Sequence, residues 1–284
     1  MKIAIASGKG GTGKTLVATN LFQTIRKAGE PVILIDCDSE EPNDQQFING
    51  NLIDEQLVTQ NIPVIDTDKC TYCGKCQEYC HYNAILVLPE IRHIQVVEDL
   101  CHDCGACLYA CQRGAITEKE KMIGAITKYD VDDHSALYES RIEVGVYSSV
   151  PLIREAIKDA ENGHFAIFDA PPGTSCPFIA TVEQADYVVL VTEPTPFGLN
   201  DLKLSVETLQ ELGKSFGVVI NRAGLGNNAV QEYLAENKIQ LLAEIPFDRK
   251  IAASYSEGIL ITDSLDEYRE LFAQLYETLE KKAS

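Results

Sequence analysis

The sequence predicts an α/β protein, a doubly wound and mostly parallel sheet into which a small α+β module is inserted. Three observations carry this reading. A strand pattern at residues 2–6 runs through a glycine-rich loop into a helix pattern, and a second strand pattern follows at 32–36. Alternating strand and helix patterns resume after Pro151. Between these stretches lies a short, turn-rich segment that holds most of the chain's 10 cysteines.

Residues 2–6 alternate and β-branch as a strand does. Residues 14–28 form a helical pattern that Gly29 ends. Val32-Ile-Leu-Ile-Asp36 is a buried strand pattern with a carboxylate at its C-terminal end. The pattern breaks near Pro63. Residues 64–117 hold an internal repeat: Cys70-Thr-Tyr-Cys73-Gly-Lys-Cys76-Gln-Glu-Tyr-Cys80 returns as Cys101-His-Asp-Cys104-Gly-Ala-Cys107-Leu-Tyr-Ala-Cys111. Ala84-Ile85 follows the first copy and Ala115-Ile116 the second, which predicts two similar halves packed as one unit. Two β runs, 122–131 and 136–146, flank Asp132-Asp133 and predict a hairpin leading back into the first domain. Strands are then expected at 164–169, 187–192, 216–221 and 240–245, with helices at 151–161, 198–213, 228–237 and 265–281. Runs such as Val188-Val189-Leu190-Val191 suit a parallel sheet covered on both faces. Residues 1–62 and 118–284 thus make one discontinuous domain, and 63–117 make the insert.

The 284 residues suffice for one large α/β domain or two ordinary ones. With 45% hydrophobic and 24% charged residues the balance is that of a soluble globular protein. No apolar run reaches the roughly 18–20 residues of a membrane span. The first residues read as a strand and not as a signal peptide, so a cytoplasmic protein is expected. A net charge of −19 disfavours nucleic acid as a partner and fits basic redox or assembly partners. Without a secretory signal, clustered cysteines point to metal before disulfides.

Gly8-Lys9-Gly10-Gly11-Thr12-Gly13-Lys14-Thr15 fits G-x-x-x-x-G-K-[ST] between a strand and a helix, the context of a P-loop. The glycines let backbone N–H groups reach phosphate oxygens at the positive helix N-terminus. Lys14 would reach the β- and γ-phosphates of ATP, and Thr15 would ligate Mg²⁺. Lys9 is not part of the generic loop. With it, Lys-Gly-Gly-Thr-Gly-Lys-Thr resembles the deviant Walker A loop of the MinD/ParA ATPases, which include the nitrogenase iron protein and the iron–sulfur carrier ATPases. The resemblance implies an ATP-dependent homodimer, or a heterodimer with a similar ATPase, in which Lys9 stabilises charge on the partner's nucleotide. Asp36-Cys37-Asp38 resembles switch I, implying that Asp38 positions the attacking water and Asp36 sits in the metal's outer shell. Asp169-Ala-Pro-Pro-Gly173 resembles switch II, implying Asp169 toward Mg²⁺ and Gly173 as a γ-phosphate sensor. Asn221 resembles the adenine-reading asparagine, and Pro246-Phe247-Asp248 the segment that closes over the base. Each strand-end aspartate also reads as a simple cap, and Asp248 as a turn residue.

C-x₂-C-x₂-C-x₃-C, present twice, resembles the bacterial ferredoxin run, in which the fourth cysteine ligates the other cluster. The resemblance implies two [4Fe–4S] clusters, one on Cys70, Cys73, Cys76 and Cys111, the other on Cys80, Cys101, Cys104 and Cys107. His81 and Gln112 stand where that run usually has proline, which bears on packing and potential. Zinc also uses C-x₂-C pairs, but two matching four-cysteine runs argue against it. Cys37 and Cys176 lie outside the runs and read as small apolar residues. The whole layout resembles MinD-superfamily ATPases with an inserted ferredoxin domain. It implies ATP hydrolysis coupled to electron transfer. A carrier or assembly ATPase and a MinD-like positioning protein with redox-sensing clusters are the alternatives. The C-terminal segment from Tyr268 is amphipathic but mixed in charge, so it reads as packed on its own domain and not on a membrane.

Overall fold

The computed structural model describes residues 1–158, 160 and 165–283. Its first half runs β1 (Lys2–Ala6), α1 (Lys14–Lys27), β2 (Val32–Asp36), β3 (Asn51–Ile65), α2 (Lys75–Glu78), β4 (Ile85–Leu88), β5 (His93–Val96), α3 (Ala106–Ala110), β6 (Ile116–Asp132) and β7 (Ser135–Ile142). The second half runs α4 (Val150–Lys158), β8 (Phe165–Asp169), α5 (Cys176–Glu183), β9 (Tyr187–Thr192), α6 (Pro196–Glu211), β10 (Phe216–Ala223), α7 (Ala229–Glu236), β11 (Leu241–Pro246), α8 (Arg249–Ser256), α9 (Ile261–Ser264) and α10 (Asp266–Ala283). Residues 159, 161 and 164, which belong to the expected helix 151–161 and strand 164–169, lie outside the described residues.

The main sheet has the order β11-β10-β9-β1-β8-β2-β7-β6-β3. The strands from β11 to β7 pair in parallel, and β6 and β3 then add antiparallel at one edge. Side chains alternate between two cores, as the strand period of 2 requires. Ala4, Ala6, Ile33, Ile35, Ala166 and Phe168 face one core with residues of α4, α5, α6 and α7. Ile3, Ile5, Val32, Leu34 and Ile167 face the other with residues of α1, α8, α9 and α10. Both faces are covered, so the strands read as continuous apolar runs. Each fully buried aliphatic side chain contributes roughly 1.5–3 kcal/mol of transfer free energy.

The edge departs from expectation. No strand was expected at 51–65, yet β3 runs the whole way and pairs with β6 from Asn51↔Asp130 to Ile65↔Ile116. Leu52, Ile53 and Leu57 are exposed on this edge strand, so no apolar period marks it in the sequence. Polar Thr117–Lys121 likewise hid the start of β6, expected only at 122. The expected hairpin is present, although β7 stops at Ile142 and not at 146. The unexpected α5, α8 and α9 are short.

β6 pairs with β7 only as far as Gly124↔Ile142. Beyond that point, Ile116–Met122 pair with β3 alone and form a two-stranded ribbon. At about 3.4 Å per residue it reaches roughly 20 Å from the sheet. At its end sit α2, α3 and the β4–β5 hairpin around a small core of Cys76, Ile85 and Val87. The two strands cross the 62/63 and 117/118 boundaries without interruption.

Gly124 lies where the ribbon leaves the sheet. A Cβ there would meet the Arg141 carbonyl oxygen at 2.4 Å and Leu152 Cδ2 at 2.8 Å. Gly124→Ala should therefore destabilise the fold by about 1–3 kcal/mol through overpacking. Urea unfolding checks this.

Candidate functional site

The functional groups gather at the C-terminal ends of the parallel strands. β1 has β8 on one side and β9 on the other, so the connections leave it in opposite directions and open a crevice there. The loop after β1 enters α1 through Gly13, whose φ of 101° only glycine adopts readily. A Cβ on Gly13 would also meet Asn221 Nδ2 at 2.3 Å. Gly10 and Gly11 have no neighbouring atom within 4 Å of an added Cβ, so their backbone borders open space. Lys14 is buried, and Thr12 Oγ1 is buried without a partner. Backbone N–H groups, a buried lysine and an orphaned hydroxyl suit a polyphosphate.

Thr15 Oγ1 donates to Asp169 Oδ2 at 2.7 Å. The other oxygen, Asp169 Oδ1, is buried with no partner. A hydroxyl and an unsatisfied carboxylate at the phosphate end fit Mg²⁺, which takes one or two protein oxygens and leaves room for phosphate and water. Asp36 is the register partner of Asp169 across β2 and β8. Both of its oxygens accept hydrogen bonds from its own loop. Oδ1 accepts from Asp38 N at 3.0 Å, and Oδ2 accepts from Asn43 N at 2.8 Å and Asp44 N at 3.0 Å. Asp38 is half-buried beside Lys14; burial raises its pKa, and the lysine charge opposes this.

Asp44 was not singled out in the sequence. It is 0% exposed, and neither carboxylate oxygen has a partner. Burial and the charges of Asp36 and Asp169 push its pKa well above the usual range. Burial and Asp169 do the same to Asp36. Burial lifts Asp169 to about 6, with Lys14 and the Thr15 hydroxyl pulling the other way.

The repeat cysteines line two cavities. One, of about 180 Å³, is bordered by Cys70, Cys73, Cys76 and Cys111. The other is bordered by Cys80, Cys101, Cys104 and Cys107. This is the grouping that crossed ligation requires. Among the described residues no group of three or more His, Cys, Asp or Glu side chains is arranged for a single metal ion. A four-iron cubane spreads its thiolates more widely than one zinc with sulfurs at about 2.3 Å. Burial raises the pKa of Cys107 to about 11, whereas the Lys75 N–H lowers that of Cys73.

Residues 3–261 match the profile of the CobQ/CobB/MinD/ParA nucleotide binding domain. The chain belongs to this family. Two uncharacterised proteins of Methanocaldococcus jannaschii are each 31% identical to it; one match covers 95% of this chain and 93% of the relative, the other 99% and 97%. An iron-sulfur cluster carrier protein of Pyrococcus abyssi is 23% identical, with 92% of this chain and 78% of the relative covered. The crystal structure of the Pyrococcus furiosus cell division ATPase MinD has the same fold, with a TM-score of 0.60 at 22% identity, covering 99% of this chain and 98% of that one. No helix among the described residues is long and apolar enough to cross a membrane.

Within this MinD/ParA-type ATPase the loop lysine Lys9 is held by its own chain. Its Nζ donates to Glu193 Oε1 at 2.5 Å. Arg222 Nη1 donates to Glu193 Oε2 at 2.8 Å, and Arg222 Nη2 to the Gly11 carbonyl at 3.2 Å. Burial opposes the Glu193 charge, but Lys9 and Arg222 outweigh it and hold the carboxyl below its usual range. Arg222 adopts φ 54°, uncommon for a residue with a Cβ. Sequence reasoning missed Glu193, although it directly follows the strand pattern at 187–192. Nothing in the sequence marked Arg222.

The remaining expected residues occupy the same edge. Asn221 is buried; its Nδ2 donates to the Thr12 carbonyl at 2.7 Å, and its Oδ1 accepts from Arg222 N at 2.9 Å. It braces the phosphate loop. Asp248 caps α8, accepting from Lys250 N at 2.8 Å and from the Tyr268 hydroxyl at 3.2 Å. Gly173, at φ 92°, donates its N–H to the Ser7 carbonyl at 3.0 Å and so ties the segment after Asp169 to the phosphate loop. Cys176 opens α5 and is exposed, whereas Cys37 is buried.

The buried carboxylates give a signed pH effect. Asp36, Asp44 and Asp169 have folded pKa values above the ordinary aspartate value of 3.8. The folded state keeps protons that the unfolded chain has released, so this stability is present below about pH 4 and is lost as pH rises through the folded values. Asp44→Asn should therefore raise Tm relative to the parent more at pH 8 than at pH 5. Calorimetry without Mg²⁺ or nucleotide measures the difference, and an equal change at both pH values would contradict the assignment.

Proposed function

We propose that this ATPase couples its nucleotide state to electron transfer through two [4Fe–4S] clusters. The observation that carries the reading is the mounting of the two four-cysteine cavities. They sit at the end of a ribbon that is itself the edge of the nucleotide-binding sheet. That edge touches switch I. Ile142 N donates to the Ser39 carbonyl at 3.0 Å, the Ser39 and Ser140 hydroxyls lie 2.7 Å apart, and Ser140 Oγ donates to the Asp36 carbonyl at 2.6 Å.

In this reading the loop N–H groups and Lys14 hold the phosphates of ATP. Thr15 and Asp169 hold Mg²⁺, which would neutralise charge on the transferred phosphoryl group. Asp38 orients the attacking water. Lys9 leaves Glu193 and crosses to a partner's nucleotide, in a homodimer or in a pair with a similar ATPase. Asn221 and Asp248 face the base side. Residues 63–117 form the cluster-bearing domain, with Cys70, Cys73, Cys76 and Cys111 at one cluster and Cys80, Cys101, Cys104 and Cys107 at the other. Bound there, the clusters would supply one-electron storage and transfer.

A second reading, a carrier that hands a metal centre to an acceptor, gains from the exposure of Cys73 and Cys104 and from the Pyrococcus relative. The test is an anaerobic EPR redox titration without nucleotide, with MgADP and with MgATP. A shift of about 59 mV, roughly 1.4 kcal/mol for one electron, is expected between nucleotide states. Unchanged potentials together with cluster transfer to an apo-acceptor would favour the carrier. Lys9→Ala should lower ATP turnover by about 10³-fold, the contribution of a charge supplied across a subunit interface. It should also abolish ATP-dependent association, read by analytical ultracentrifugation.

A further inference from the structure

We infer that the two cluster sites are electrostatically unequal and that an added electron rests at the one farther from the ATPase sheet. This rests on the two-cluster reading above.

Position along the ribbon distinguishes the sites. Asn61, Pro63 and Glu118 border the cavity of Cys80, Cys101, Cys104 and Cys107, which is therefore proximal. Ile65 and Ile116, the last rung of the ribbon, border the cavity of Cys70, Cys73, Cys76 and Cys111, which is distal.

The repeat supplies an internal control. Two backbone features recur in both halves. Ala84 N donates to Cys80 Sγ at 3.2 Å, and Ala115 N to Cys111 Sγ at 3.4 Å, at matching repeat positions. Tyr72 and Asp103, also matched, both adopt positive φ, 55° and 50°. One backbone donor differs, Tyr72 N to Cys70 Sγ at 3.4 Å at the distal site, and it favours an added electron there, in the same sense as the side chains.

The side chains differ in charge. Lys75 and Arg113 border the distal cavity, and no carboxylate does. Their repeat counterparts, Ala106 and Tyr82, border the proximal cavity and carry no charge. Asp103 and Glu118 border the proximal cavity instead. Asp103 is fixed there, because its Oδ2 accepts from Asn61 N at 2.8 Å. The Asn61 carbonyl oxygen also lies 3.8 Å from Cys101 Sγ, adding negative potential at that sulfur. Reduction adds one negative charge to a cluster. Lys75 and Arg113 favour that charge at the distal site, and Asp103 and Glu118 disfavour it at the proximal one. All four side chains border solvent, so screening reduces but does not reverse the difference.

The electron step is then balanced. With both clusters bound, an external low-potential one-electron donor would supply the electron, and where it first reduced the proximal site the electron would move on, leaving the proximal site oxidised and the distal site reduced by one.

The test uses full-length protein carrying both clusters, titrated with dithionite and followed by EPR. Iron and sulfide analysis comes first. Fewer than two four-iron clusters would overturn the two-cluster reading, and this inference with it. With both present, two one-electron steps are expected, separated by at least about tenfold in equilibrium constant, or about 59 mV. K75A/R113Q should lower the upper step and leave the lower one. D103N/E118Q should raise the lower step and leave the upper one. Unresolved steps in the parent, both variants moving the same step, or the reverse assignment would each overturn the inference.

Discussion

Backbone hydrogen bonding along β6 is the constraint on which the two parts of this molecule depend. From Gly124 to Asp130 the strand is bonded on both sides, to β7 and to β3; from Ile116 to Met122 it has β3 alone. Sliding β6 by one residue would move every side chain to the opposite face. Val58, Ile123 and Ile126 belong to the core that also holds α4, so such a slip is strongly opposed. The ribbon therefore cannot shift independently of the sheet edge. Any movement of β7 is passed along bonded backbone and not across a flexible linker. Spatial continuity of this kind makes coupling mechanically available, while the element with two stable arrangements has to be sought where switch I meets Ser140 and Ile142.

That junction lies beside the least comfortable part of the core. Asp36, Asp44 and Asp169 are packed within one buried region, and only Asp36 has its carboxylate satisfied by backbone donors. Unpaired buried carboxylates are costly, and a protein tolerates them where binding supplies the missing charge. Asp44 donates its own N–H to Asp36 and ends the loop that Asp36 organises. Changes in the charge at Asp169 are therefore felt by the segment that carries Asp38. The same loop segment leans on β7 through Ser39, so phosphate-site electrostatics and the sheet edge share a few backbone contacts.

How much of this was legible in the sequence depended on what each residue had to satisfy locally. The βαβ opening, the P-loop and the strand-end Asp169 were legible because strand period, glycine demand and helix start coincide there. The two cysteine runs were legible because they repeat with identical spacing, whereas their crossed grouping came from the ferredoxin resemblance. β3 was not. An edge strand with both faces partly wet needs no apolar alternation, and its order comes from its partner 116–132. Asp44 and Arg222 were illegible for a different reason: their environments are made by residues distant in sequence, Asp169 for the one and Glu193 with Gly11 for the other. Asn221 was found by resemblance, but its grip on Thr12 follows only from the fold, which sets β10 beside β9 and β9 beside β1.

The Glu193 cluster shows how a loop lysine can be both held and available. A buried carboxylate left without a partner would cost several kcal/mol, enough to prevent release of the lysine that pairs with it. Glu193 has two cationic partners on separate oxygens, Lys9 on Oε1 and Arg222 on Oε2. Arg222 is further fixed to the Gly11 carbonyl and by the positive-φ turn that Asn221 supports. If Lys9 moved to a partner's nucleotide, as proposed, Arg222 would keep the charge at Glu193 compensated. Lys9 is itself about a third exposed in that pair, so its desolvation is already partial. In the proposed dimer, a second subunit presenting a nucleotide phosphate would have to outcompete one half of a forked ion pair, with Arg222 keeping the phosphate loop in place.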